Sequence, residues 1–253
     1  MTFHFTDTHC HLNFSPLCEN IPAVLNRAFQ NGVERIIVPA YDNESLQNIL
    51  NLTKLYKNIY GAMGIHPWKA DEDIDFGTFK QLLQNEKVVA IGEIGLDFKT
   101  DVCKTRQRDQ FIKQLETAME FNLPVLLHVR GAFEETLEIL EQFNGKLTGT
   151  VHAFSRSYEL AKRFIDLGFY ISFGGTITKP DSKKAIDTVR QISLDNILLE
   201  TDAPSIGLLN THPLKTEPAH VLDIATALSK IKNISLQEIS QKSEENCKRL
   251  FNL

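Results

Sequence analysis

A chain of 253 residues with 42% hydrophobic and 23% charged side chains is too apolar to be disordered and long enough for a large core, which fits one α/β barrel. A formal charge of −5 gives no basic footprint for nucleic-acid phosphates, so a polyanionic substrate would need local positive charge such as a bound metal supplies. Cys10, Cys18, Cys103 and Cys247 are scattered without a Cys-X-X-Cys pair, and no secretory leader pattern or apolar run of about 20 residues is present, so the expectation is a cytoplasmic protein without disulfides, membrane or obligate protein partner.

The first predicted element is Phe5-Thr6-Asp7-Thr8-His9-Cys10-His11-Leu12. Side chains of an extended strand alternate faces, so Asp7, His9 and His11 point one way and Thr8, Cys10 and Leu12 the other. Two imidazoles on one face can offer nitrogens to one cation, with a carboxylate beside them to orient a ring. A pair of hydrogen-bonded surface histidines has the same spacing.

Seven further short apolar runs follow at residues 33–39, 59–65, 88–94, 124–129, 147–151, 169–173 and 197–200. Helical spacing lies between them, as in Ile21, Leu25, Ala28 and Phe29, or Phe111, Leu115, Ala118 and Met119. Strand then helix, repeated, is the pattern of parallel βαβ units, and eight units in this length match a single-domain TIM-type (β/α)8 barrel over residues 1–253. An open doubly wound sheet is the alternative. Residues 236–251 read as an extra C-terminal helix.

A titratable residue follows most of these strands: His66 the third, Glu93 and Asp97 the fourth, His128 and Arg130 the fifth, His152 the sixth, Asp202 the eighth. In a barrel the carboxyl-terminal strand ends converge on one face, where such enzymes carry their active sites. Each residue alone has an ordinary reading, a loop-bonded histidine or a helix cap. Buried together without an ion, so many ionisable groups would each need a partner, and divalent cations remove that cost.

Six motifs in order, Asp-Thr-His-Cys-His-Leu, Gly-Ile-His-Pro, Gly-Glu-Ile-Gly-Leu-Asp, Leu-Pro-Val-Leu-Leu-His-Val-Arg, Val-His-Ala-Phe-Ser and Leu-Leu-Glu-Thr-Asp-Ala-Pro, resemble the TatD family of metal-dependent hydrolases in the amidohydrolase superfamily. Ile-Ile-Val-Pro-Ala and Gly-Gly-Thr-Ile-Thr-Lys-Pro look most like its YjjV branch. The resemblance implies a TIM-type barrel with one or two divalent ions (Zn, Mn, Mg or Fe). His9, His11 and Asp202 would hold the first, His128 and His152 the second, and Glu93 would bridge them. It also implies that His66 reaches the substrate phosphate, and that the activity is that of a deoxyribonuclease removing nucleotides from 3′ ends, with DNA or another nucleotide phosphodiester as partner.

The residue chemistry agrees with that picture. A pair of ions activates water and neutralises charge on phosphate oxygens, Asp202 is the candidate general base, and the carboxylate of Glu93 can serve two ions. Mixed imidazole and carboxylate donors suit Zn²⁺, Mn²⁺ or Fe²⁺, whereas Mg²⁺ prefers more oxygen. Asp7 either orients a histidine ring or ends the strand. Arg130 clamps a phosphate or pairs with an acid. Ser155, Thr176 and Lys179 read as loop polarity, and Trp68 as a base-stacking surface or as packing.

Three features depart from the TatD pattern: Trp68 stands where many relatives have histidine, Ala153 and Ser157 replace a cysteine and a glycine, and the 205–216 loop carries Lys215 as its only lysine or arginine. These leave room for an amidohydrolase-type enzyme acting on another ester, lactone or amide, and for a non-catalytic metal-stabilised binding module, which Asp202 and His66 argue against.

Overall fold

Short β-branched strands alternate with amphipathic helices along the computed structural model, which describes residues 3–253. The strands are β1 (Phe5–Asp7), β2 (Val33–Pro39), β3 (Ile59–Met63), β4 (Val88–Asp97), β5 (Val125–Arg130), β6 (Gly149–Val151), β7 (Phe169–Phe173) and β8 (Ile197–Leu199). The helices are α1 (Ile21–Gln30), α2 (Asn43–Leu55), α3 (Phe76–Leu82), α4 (Lys104–Phe121), α5 (Phe133–Glu141), α6 (Tyr158–Asp166), α7 (Lys183–Gln191), α8 (Val221–Lys232) and α9 (Leu236–Phe251). The strands follow one another in the sheet in chain order. That order belongs to a (β/α)8 barrel, because a doubly wound sheet reverses its order at a switch point.

Two compact units make up the chain, each discontinuous in sequence. One comprises the chain through Val38, His152–Ile165 and Tyr170–Leu253, and the other Pro39–Val151 and Asp166–Phe169.

In the first unit β1 lies between β2 and β8. Phe5 pairs with Val33 and Asp7 with Ile36, while the Thr8 amide donates to the Leu199 carbonyl at 3.1 Å. Helix α9 starts where expected, at a Ser235 cap whose hydroxyl accepts from the Glu238 amide at 3.1 Å. It packs Ile239, Cys247, Leu250 and Phe251 inward. Its fully buried Asn246 donates to the Leu194 and Ile197 carbonyls at 2.7 and 2.8 Å, and its Ser240 hydroxyl donates to the His4 carbonyl at 2.8 Å. The helix therefore ties down the starts of β1 and β8. In α1 the buried stripe is Ile21, Val24 and Ala28. The expected Phe29 is 65% exposed instead. Two overlapping stripes satisfy a 3.6-residue period there, and packing selects the one through Val24.

In the second unit β3, β4, β5 and β6 pair in parallel. Strand β4 runs three residues beyond the expected end and pairs Gly95 with His128 and Asp97 with Arg130. Gly95 sits at φ +145°, and a Cβ there would overlap the His128 carbonyl oxygen. Only glycine permits that approach. Strand β3 stops two residues early, at Met63. The Gln114 side chain takes up the Ile65 backbone, accepting from its amide at 2.8 Å and donating to its carbonyl at 3.2 Å. Gln107 does the same for Asp97, at 2.8 and 3.0 Å. The buried face of α4 is consequently Gln107, Phe111, Gln114, Leu115 and Ala118, and the expected Met119 is 42% exposed. No helix of the described residues is long and apolar enough to cross a membrane.

Candidate metal centre

Residues just beyond β1, β6 and β8 form a cluster in the first unit. Strand β1 ends at Asp7, so His9 and His11 lie past it rather than within it. Their rings share one side, and Cys10 between them pairs in parallel with Ala203 and is fully buried. The Nε2 atoms of His9 and His11 are 3.3 Å apart, and Asp202 Oδ1 lies 3.8 and 3.6 Å from them. The rings of His9 and His152 stack at 4.1 Å between centroids. His9, His152 and Asp202 present ligand atoms all within 4.8 Å of one another. Donors bound at about 2.0–2.2 Å to one ion lie about 3–4 Å apart, so this buried imidazole and carboxylate set fits a divalent cation.

Backbone bonds hold that cluster. Asp7 accepts from the Thr201 hydroxyl at 2.6 Å, the Thr201 amide at 2.9 Å and the His9 amide at 3.3 Å. Burial pushes its carboxyl up to about 8, against the lowering effect of those bonds. Asp7 thus acts on the backbone that carries His9. The Asp202 amide donates to the His9 carbonyl at 2.8 Å, and the His11 amide to the Ala203 carbonyl at 2.9 Å. Asp202 adopts φ +48°, as does Ala153, in the left-handed region that costs an L-residue about 1–2 kcal/mol. The Ser205 amide closes onto the Asp202 carbonyl at 2.7 Å. Fully buried Glu200 accepts from the Ala153 amide and lies 3.8 Å from His152 Nδ1, fixing the turn that carries this histidine.

A second cluster lies in the other unit. His66, Glu93 and His128 also present ligand atoms within 4.8 Å of one another. Glu93 Oε1 is 2.7 Å from His128 Nδ1 and 3.4 Å from His66 Nε2. Behind His128 stands Asp97, fully buried. Its Oδ2 is 3.2 Å from His128 Nε2 and accepts from the Trp68 indole at 2.6 Å, and its Oδ1 accepts from the Lys99 amide at 2.9 Å. Burial pushes this carboxyl up, but the bonds from His128, Trp68 and Lys99 outweigh it and hold Asp97 well below the usual carboxylate range. A carboxylate on Nε2 leaves Nδ1 as the nitrogen of His128 that could ligate an ion.

His66 Nδ1 accepts from the Trp68 amide at 3.1 Å, so in the neutral ring Nε2 carries the proton. Arg130 keeps its guanidinium 3.7 Å from Asp97 and is more than half exposed.

The expected ligands thus fall into two groups. His9, His11 and Asp202 come together, joined by His152, and Glu93 meets His128, joined by His66. Sequence reasoning gave no role to Asp97, Glu200, Thr201, Gln107 or Gln114. Asp97, Glu200 and Thr201 lie inside the sequence motifs and were findable there. The two glutamines, polar residues on the inward face of an amphipathic helix, carry no local signal.

The family model described as TatD related DNase matches residues 6–252. The metal-dependent hydrolase YjjV of Escherichia coli K12 is 37% identical, with both chains covered in full. YabD of Bacillus subtilis, also described as a metal-dependent hydrolase, is 36% identical over 98% of each chain. A crystal structure of Escherichia coli YjjV superposes with a TM-score of 0.92 over 100% of both chains at 36% identity. Similarity over the full length, together with two clusters of ligand-competent residues on its motifs, places the chain: it belongs to the TatD family of metal-dependent hydrolases.

Proposed function

We propose that this hydrolase cleaves phosphodiesters, with DNA 3′ ends as the substrate class, and works in the cytoplasm. The observation that carries the reading is the pair of buried clusters in which histidine and carboxylate donors gather within 4.8 Å. His9, His11 and Asp202, with His152 beside them, would hold one divalent ion, and His128 and Glu93 would hold a second. Bound divalent ions supply an activated water and neutralise charge on the phosphate oxygens.

The chain's own groups do the rest. Asp202, held in place through its own amide and carbonyl, takes the proton of the attacking water and returns it to the leaving oxygen. His66, with its proton on Nε2, donates to a phosphate oxygen. This suits a substrate contact better than a metal ligand, which would need that lone pair. Arg130 adds positive charge.

A non-nucleic-acid ester, lactone or amide is the second reading, favoured by the −5 charge and by a 205–216 loop in which Lys215 is the only lysine or arginine. One experiment separates the readings: metal analysis of the purified protein, then assays on bis(p-nitrophenyl) phosphate, 3′-labelled single-stranded DNA and a small ester panel, with and without chelator. Chelator-sensitive cleavage of both phosphodiesters is expected. Ester turnover with both phosphodiesters untouched selects the second reading, and bound metal without any turnover selects a binding module.

A further inference from the structure

Trp68 is 43% exposed, yet it is restrained from three sides. Its indole N–H donates to buried Asp97 at 2.6 Å, and its amide donates to His66 Nδ1 at 3.1 Å. It sits in the 3-10 turn Pro67–Lys69, whose proline fixes the backbone entry. The rings of His66 and Tyr41 stand nearly perpendicular to it, at 85° and 89°, with centroids 5.0 and 6.4 Å away. Its polar edge is therefore turned inward and satisfied, while apolar ring surface is left to solvent.

A tryptophan offers roughly 150–250 Å² for burial, and here much of that area faces solvent. An exposed ring already fixed by other bonds has little rotamer freedom left to lose when a flat partner stacks on it. The same Asp97 oxygen lies 3.7 Å from the Arg130 guanidinium, so a cation stands beside the ring.

We propose that Trp68 is a specificity-determining residue, a fixed platform on which the planar heteroaromatic base of a nucleotide stacks beside the His66, Glu93 and His128 cluster. The proposal rests on the phosphodiesterase reading for its substrate class. It adds that recognition includes the base and not the phosphate alone. Stacking on an aromatic platform tolerates every base, so preference among bases is weak.

The chain has one tryptophan, so intrinsic fluorescence reports on this platform directly. Metal-loaded protein is titrated with deoxyadenosine monophosphate and, separately, with deoxyribose 5-phosphate. Saturable quenching by the nucleotide alone is expected. Equal response to both, or none, overturns the platform. Kinetics of Trp68→Ala and Trp68→Phe are then compared on a dinucleotide and on a base-free dialkyl phosphodiester, with circular dichroism confirming the fold.

The ratio of kcat/KM between the two substrates should fall about 5- to 100-fold in Trp68→Ala, carried by KM, with partial recovery in Trp68→Phe. An unchanged ratio with active enzyme refutes the platform and leaves the phosphodiesterase reading standing. Saturable nucleotide quenching in a protein that cleaves no phosphodiester upholds the platform and removes that reading.

Discussion

The two clusters hold similar donors by different means. Around His9, His11 and Asp202 the supporting bonds run through backbone: Asp7 accepts from two amides and a hydroxyl, and the amides of Asp202 and His11 reach back to carbonyls of the opposite strand end. Around Glu93 and His128 they run through side chains, from Trp68 through Asp97 to His128 and on to Glu93. A backbone frame fixes where the ligands start, whereas a side-chain relay fixes which nitrogen faces the ion. The first should tolerate side-chain loss in its surroundings better than the second.

Mutation can sharpen or break that contrast. The largest effect belongs to Asp202→Asn. Asparagine accepts the left-handed φ of 48°, so metal should stay largely bound while kcat falls about 10²- to 10⁴-fold. A rate equal to wild type, with metal analysis on the same sample, would remove Asp202 as the base. Next is Asp97→Ala, which cuts the relay. Metal affinity at the second cluster should drop about 10- to 100-fold, with a shift of Trp68 emission, while the first cluster keeps its ion. Loss of both ions in a calorimetric titration would show that the supports are not separate.

In the backbone frame, Thr201→Val removes the hydroxyl donor to Asp7 and should cost about 1–3 kcal/mol of stability in urea unfolding, because a buried acceptor loses a partner. Loss of turnover out of proportion to that cost would mean Thr201 acts in catalysis. The smallest effect is expected for Cys10→Ser. Cys10 is fully buried with its Sγ 3.8 Å from the Ala203 carbonyl, and the alternation of an extended segment turns it away from His9 and His11. Turnover should be unchanged, and a large fall with metal retained would contradict that orientation.

The same contrast explains what could be read from sequence. Parallel strands buried on both faces are written as continuous apolar runs, so all eight strands and α9 were visible. The first cluster rests on three contiguous motifs, around His9, His152 and Asp202, and its supporting residues Asp7, Glu200 and Thr201 sit within them. The relay was less visible because Trp68, Asp97 and His128 are separated by 29 and 31 residues, and no spacing rule joins an indole to a carboxylate. Helix faces failed at Phe29 and Met119, where period alone admits two stripes and tertiary packing selects one. The early end of β3 was hidden for a similar reason, since the Ile65 backbone bonds to Gln114, a partner 49 residues away.

The most direct test of the central claim is anomalous diffraction from crystals soaked in manganese. Peaks are predicted within bonding distance of His9, His11 and Asp202 and of Glu93 and His128, and to vanish after treatment with chelator. Crystals that take up manganese only elsewhere, with both groups of side chains bare, would contradict the account.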